Sequence, residues 1–357
     1  MKNRNLLLLA LVLLILPAAT RASTYAGPPN TFIGLDMSTF KAYLKVDLMK
    51  EGKFTGTLDL AGGPHSAIKG TLDVTGSFSG ITAKGATPYT LQVTGSTSGT
   101  YLLTGSAAGH ILEAFPLAYS KGQTASEVGR YNAVVISSGT GVVPGGYGWS
   151  VLTVGKTGAG RISGKFPDGT GFSASSNIVA DGTTEHFLVL EDRNLYNKSG
   201  VLLGYMIFIS GTTDATFFWQ KPMTKGPYYP AAFTSEIGLE GTLYSKAKGD
   251  PFTSGTINFV SSALAATGTQ AFTVSSKGAV TVNPPNPSDV KLSINPSTGA
   301  VRGSFDFPHM VSGKTVNSVV KYSGLLLQTG STGIAVGYFI PPIVSGSAVT
   351  GYWEAVP

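Results

Sequence analysis

The sequence predicts an all-β protein, with antiparallel hairpin and meander units forming two or three β-barrel or β-sandwich domains. Three observations predict it. Apolar and polar residues alternate with period 2 almost everywhere after residue 38, turn signals recur between the alternating runs, and only 12% of residues are charged while glycine reaches 47 of 357. A half-buried strand writes that period into its sequence, because successive side chains point to opposite faces. Low charge with abundant Gly, Ser, Thr, Val and Tyr suits short twisted strands and tight turns, and is poor material for surface helices.

The first element is expected to leave the mature chain. MKNRN, an uninterrupted apolar run from Leu6 to Leu16, and then PAATRAST make residues 1–22 a secretory signal peptide. Cleavage is expected after Ala22, with Ala19 as the second choice. The apolar run is shorter than the ~20 residues a spanning helix needs. With no cysteine in the sequence, no lipid anchor, disulfide or thiolate metal site is expected. Loss of Lys2, Arg4 and Arg21 takes the formal charge from +6 to +3. No basic run stands out, so nucleic acid is not an expected partner.

The strands follow. In "KFTGTLDL", Phe54, Leu58 and Leu60 share one face while Lys53, Thr55, Thr57 and Asp59 share the other. "GRYNAVVIS", "SEIGLEGTLYS", "VKLSINP" and "VVKYSGLLLQ" read the same way, separated by turn signals such as "AGGP", "PDGT", "ADGT" and "NKSG". About twenty strands are expected.

Beneath the alternation lies a repeat of the form G-x-Φ-x-G-x-Φ, at residues 52–58, 160–166 and 299–305, with a shorter echo at 76–80. Each full copy follows a strand and a polar turn, so the unit is a hairpin. Its first glycine suits a positive-φ turn, and its second a place in the strand where another backbone comes close.

Two Pro-rich stretches punctuate the chain. Residues 222–233, in "QKPMTKGPYYPAAF", are the expected linker, which gives a first β-segment at 23–128, a second at 129–221 and a C-terminal β-domain at 234–357. "VNPPNPSD" at 282–289 reads as a loop within the last domain. The weaker break at 120–129 leaves open whether residues 23–221 are one domain or two.

The order "GRYNAVV", "GYGWSVLTVGKTGAGRISGKFPDGTGFSASS", "LLGYMIFI", "ATFFWQKP", then "RGSFDFP", "VVKYSGLLLQ", "GIAVGYFI" and "SGSAVTGYW" resembles the uncharacterised Gly-rich all-β repeat modules found near the C-termini of large secreted bacterial surface proteins. The resemblance covers roughly residues 129–357. It implies a repetitive extracellular β architecture and carries no catalytic residues.

Signatures of chemistry are weak. "KTGAGRISGKF" has the glycines of a phosphate loop, but Ala159 stands where a P-loop needs its first glycine, and Phe166 where it needs Ser or Thr. His65, His110, His186 and His309 are scattered singly, and "EDRNLYNKSG" has Tyr196 and Asn197 at positions where a calcium loop needs a ligand and a glycine. No cofactor or metal site is therefore expected. No G-x-S-x-G nucleophile elbow occurs. Glu236 and Glu240 lie on one strand face about 13 Å apart, too far for a glycosidase pair.

Aromatic residues are the remaining candidates. Trp219, Tyr228 and Tyr229 cluster around the Pro-rich stretch and would form an exposed ledge for stacking on sugar rings or seating a surface protein. For all three, filling the core or covering a barrel end is the plainer reading. Adjacent residues of an extended chain point opposite ways, so one of the two tyrosines should be exposed. The leading expectation is a secreted structural or binding β-protein, extracellular, at the cell surface or in the periplasm, with a glycan or protein partner. Two other classes stay open, an outer-membrane barrel in which "VLLGYMIFIS" touches lipid, and an extracellular hydrolase acting on polysaccharide or peptide.

Overall fold

A computed structural model describes residues 25–95, 100–182, 185–246, 253–261, 268–311, 313–329, 332–343 and 349–357. The segment read as a signal peptide lies outside them. The described residues form three successive units of eight antiparallel strands. The first contains β1 (Asn30–Leu35), β2 (Ala42–Leu48), β3 (Lys53–Leu60), β4 (His65–Thr71), β5 (Ser77–Ile81), β6 (Pro88–Gly95), β7 (Tyr101–Ala107) and β8 (His110–Pro116). The second contains β9 (Gly129–Ser138), β10 (Gly145–Val154), β11 (Ala159–Lys165), β12 (Gly171–Ala180), β13 (His186–Asp192), β14 (Val201–Ile209), β15 (Thr212–Lys221) and β16 (Phe233–Leu243). The third contains β17 (Ser254–Val260), β18 (Gly268–Val274), β19 (Val280–Val282), β20 (Lys291–Asn295), β21 (Ala300–Val311), β22 (Lys314–Thr329), β23 (Thr332–Phe339) and β24 (Gly351–Val356).

All three units are up-and-down meanders in which the first strand pairs with the last: β1 with β8, β9 with β16, and β17 with β24. The middle unit is a closed barrel. The other two are nearly closed, with the ladder interrupted between β4 and β5 and between β19 and β20. An eight-stranded barrel is just wide enough for side chains to fill, and large rings fill these. In the middle barrel Phe166 stacks on Phe172 and Trp219 at 4.6 and 4.5 Å. In the third, Phe259 stacks on Phe305 at 4.1 Å and Trp353 is fully buried.

The repeated hairpin has a steric basis. Gly56, Gly164 and Gly303 each lie against the preceding strand so closely that an added Cβ would fall on the carbonyl oxygen of Lys45, Trp149 or Lys291 respectively. At the first glycine of the repeat, Gly52 (φ 73°) and Gly299 (φ 68°) take the left-handed turn conformation. In the middle copy that role passes to Gly158 (φ 77°), two residues before the expected Gly160.

The expected boundary at 222–233 needs correction. The strand that follows it, β16, pairs with both β15 and β9 and closes the middle barrel. The prolines do end the ladder, since they lack the N–H it requires, but the chain then returns to the same sheet. The change of sheet comes instead after β16, since β17 belongs to the third sheet. Residues 30–116 and 129–243 lie in separate sheets.

The barrels pack side by side, and this corrects the lipid reading of "VLLGYMIFIS". Leu202 and Met206 fill the middle barrel, while Val201, Leu203, Tyr205 and Ile207 pack against the first with Phe40, Tyr43 and Ile33. Phe115 and Phe187 meet edge-on across this contact at 4.7 Å. Between the second and third barrels, Val134, Ile136 and Tyr147 pack on Leu327, Ile334 and Val336. Asn132 donates through Nδ2 to the carbonyls of Thr298 (3.0 Å) and Leu326 (2.9 Å).

Candidate functional site

The aromatic ledge is not assembled. Trp219 is fully buried, stacked on Phe166 and met edge-on by Phe233 at 4.7 Å, so neither ring face is free for a ligand. Tyr229 is buried, and its hydroxyl lies 3.0 Å from Thr350 Oγ1 and accepts from the Thr350 amide. Tyr228 is half-buried and donates to the Pro341 carbonyl at 2.8 Å. Both tyrosines thus dock on the third barrel. The alternation argument fails here because Tyr229 has φ 48°, which takes the chain out of the extended conformation.

What holds this segment is Lys221, which sequence reasoning missed. Its buried ammonium donates to the Tyr229 carbonyl (2.6 Å), the Pro222 carbonyl (3.2 Å) and Thr224 Oγ1 (3.0 Å), and lies over the rings of Tyr196 and Phe233. Burial lowers its pKa, against the opposing pull of Asp168. The Pro-rich segment is therefore a cap, pinned across the end of the barrel where β15 leaves and β16 enters.

Three of the four histidines meet a buried carboxylate through Nδ1. His110 lies 2.7 Å from Asp36, His65 2.9 Å from Asp59 and His186 2.7 Å from Glu127. Glu127 also accepts from Tyr119 at 2.7 Å and from Ser126 at 2.9 Å. Burial alone would raise its pKa, but the bonds from Tyr119, His186 and Ser126 outweigh it and hold the carboxyl low. Where the first and second barrels touch, Arg193 donates to the carbonyls of Leu60 (3.2 Å) and Gly63, and lies 3.3 Å from Glu191. Burial and the neighbouring Asp59 carboxylate push Glu191 up to about 8, against the pull of Arg193. All these groups tie turns or barrels together. No group of three or more metal-ligating side chains occurs among the described residues.

The surface that remains open is a chain of grooves. One, of about 350 Å³, lies between the first and second barrels and is lined by Tyr43 and Lys45 on one side and Arg161, Ser175 and Asn177 on the other. A second, of about 370 Å³, lies between the second and third barrels, with Arg130, Trp149, Thr153 and Arg161 facing Arg302 and Ser323. A third, of about 460 Å³, runs over the third barrel past Arg302, Lys321, Tyr338 and Ile340. The first two share Arg161 and the last two share Arg302, so neighbouring grooves adjoin at these side chains. No Asp or Glu lines any of them among the described residues.

The strand alternation explains why these side chains face outward. Ile162 and Phe166 point into the barrel, leaving Arg161, Ser163 and Lys165 on the outer face, with Arg161 exposed and Lys165 half-buried. In β21, Val301 and Phe305 point inward and Arg302 outward. Arg161 and Arg302 both occupy outward positions of the repeated hairpin. That was the one signal in the sequence.

A fourth groove, of about 460 Å³, lies on the other flank of the contact between the second and third barrels. Its lining is mainly apolar, with Asp214 and Glu240 at its edge.

No protein-family model matches the chain, and no curated protein does. Among solved structures, a protein of unknown function from the DUF3598 family of Nostoc punctiforme PCC 73102 is similar at 11% identity and a TM-score of 0.20. The match covers 60% of this chain and 94% of that one.

Proposed function

We propose that this is an exported binding protein that lays an extended glycan across the grooves between its barrels. The observation that carries the reading is the adjoining of the three grooves at Arg161 and Arg302. A ligand longer than one groove would contact all three barrels at once. Hydroxyl and amide groups in the grooves, from Ser175, Asn177, Thr153 and Ser323, suit sugar hydroxyls, and half-exposed Trp149 offers a ring. The signal-like N-terminus and the resemblance to secreted surface modules support export. The side-by-side packing of three filled barrels supplies rigidity, which lowers the ordering cost of binding.

A glycan array probed with the purified protein tests the binding. The expected result is recognition of a polymeric glycan, weakened by Arg161→Ala and Arg302→Ala; absence of binding to every glycan would remove the reading. Export is tested by fusing residues 1–22 to a reporter, whose retention inside the cell would count against it.

A further inference from the structure

We infer that the ligand of these grooves is an acidic polysaccharide, one whose rings carry carboxylate or sulfate groups at intervals. The inference rests on the glycan-binding reading above and adds the chemistry of the ligand.

Five cations line the connected grooves: Lys45, Arg130, Arg161, Arg302 and Lys321. None of them is in an ion pair among the described residues. A protein with so few charged residues, 12% of the chain, thus gathers positive charge outside ion pairs along a row of adjoining grooves. Arginine presents a planar fork of donors that matches carboxylate and sulfate oxygens, and it stays charged at any physiological pH.

The spacing favours a sugar polymer over a nucleic acid. Arg130, Thr153, Arg161 and Ser175 form one lateral row across β9, β10, β11 and β12, each residue directly opposite the next. Two strand spacings separate the arginines, about 10 Å, with a threonine hydroxyl between them. In the third barrel the row Ser293, Arg302, Ser323 and Tyr338 likewise sets one cation among hydroxyls. A nucleic-acid duplex carries a charge on each strand about every 3.4 Å of its axis and would leave most of its charges unmatched. A polysaccharide with one anionic group per one or two rings presents charge sparsely and hydroxyls densely, as these rows do.

The test is binding of the purified protein, by calorimetry, to polygalacturonate, dextran sulfate, neutral dextran and single-stranded DNA. At least one acidic polymer should bind on the order of tenfold or more tighter than dextran, and raising the salt from about 50 to 200 mM should weaken it on the order of tenfold. Which of the two binds tells carboxylate from sulfate. Arg161→Glu and Arg302→Glu should each abolish most of this binding. Lys69→Glu, the same charge change at an exposed site outside the grooves, should leave it within about twofold. Circular dichroism of each variant shows whether it is folded. Equal binding of dextran and the acidic polymers overturns the inference while leaving the glycan reading standing. Tighter binding of DNA, or equal losses in all three variants, overturns it in favour of a nucleic acid or of unspecific charge. Failure of every polymer to bind overturns both.

Discussion

His110 Nδ1 lies 2.7 Å from Asp36 Oδ2, joining the turn after β1 to the first residue of β8. These are the two strands whose pairing closes the first barrel. Asp36 is buried and also accepts from the Ser38 hydroxyl at 2.6 Å, the Thr39 hydroxyl at 2.6 Å and the Ser38 amide at 3.0 Å. Burial alone would raise its pKa, but the bonds from Ser38, Thr39 and His110 outweigh it and hold the carboxyl far below the ordinary 3.8. A carboxyl depressed in the folded state adds stability above its unfolded pKa and loses it as pH falls through the folded one. Asp36→Ala should therefore cost about 2–3 kcal/mol at neutral pH, seen as a lower thermal midpoint, and the gap from the parent protein should narrow below about pH 4. A gap unchanged down to pH 2 would show that the charge of Asp36 is not what stabilises the turn.

Glu191 behaves in the opposite sense. Its carboxyl is pushed from the ordinary 4.5 up to about 8 by burial and by Asp59, so the folded protein holds the proton more tightly than the unfolded chain does. Stability from this group is fully present below about pH 4.5 and is lost as pH rises through about 8. The contact between the first and second barrels should loosen from pH 6 to pH 9, read as a fall in the protection of β3 and β13 amides relative to their intrinsic exchange rates at each pH. Glu191→Gln keeps the shape without the ionisation and should flatten that dependence. If the variant loosens with pH as the parent does, the Asp59–Glu191 pair is not the cause.

The fold was legible because strand alternation and turn chemistry are local. The close approaches at Gly56, Gly164 and Gly303 were legible too, since a glycine in a strand acts through its immediate neighbours. Barrel count was harder to read. The prolines at 222–230 end a ladder, but nothing local says whether the chain then starts a new sheet or returns to the old one, and that is decided by the pairing of β16 with β9. The apolar outer face of β14 was ambiguous for a related reason: Val201 and Leu203 would face lipid or a neighbouring barrel with the same side chains. The grooves were least legible, because Lys45 and Lys321 are brought onto one path only by the stacking of three barrels. Arg161 and Arg302 had a local sign, their outward places in the repeat, but no sign that those places adjoin.

Lys221 offers a test of the cap. Its ammonium satisfies the carbonyls of Pro222 and Tyr229, and Lys221→Met would keep an unbranched chain of similar length there while removing the donors. Leaving two carbonyls unpaired should cost about 2–3 kcal/mol and free residues 222–232 from the third barrel. Limited proteolysis should then cut within that segment, whereas the parent resists. Resistance equal to the parent's would mean that Tyr228 and Tyr229 hold the segment without the lysine.

The glycines of the repeat can be tested against a glycine of the same barrel that has room. Gly164 sits in β11 with ordinary backbone angles, so the obstacle to a side chain there is purely steric: an added Cβ would land on the Trp149 carbonyl and crowd Ser150. Gly164→Ala must push β10 and β11 apart and should cost about 1–3 kcal/mol. Gly238, in β16, has no atom nearer than 3.9 Å to the place its Cβ would take. Gly238→Ala should be neutral or stabilising by about 0.4–1 kcal/mol, since it restricts the unfolded chain without strain in the folded one. Thermal midpoints of the two variants should move in opposite directions. Equal destabilisation of both would mean that the conformational freedom of glycine, and not the close approach of β10 to β11, is what the repeat requires.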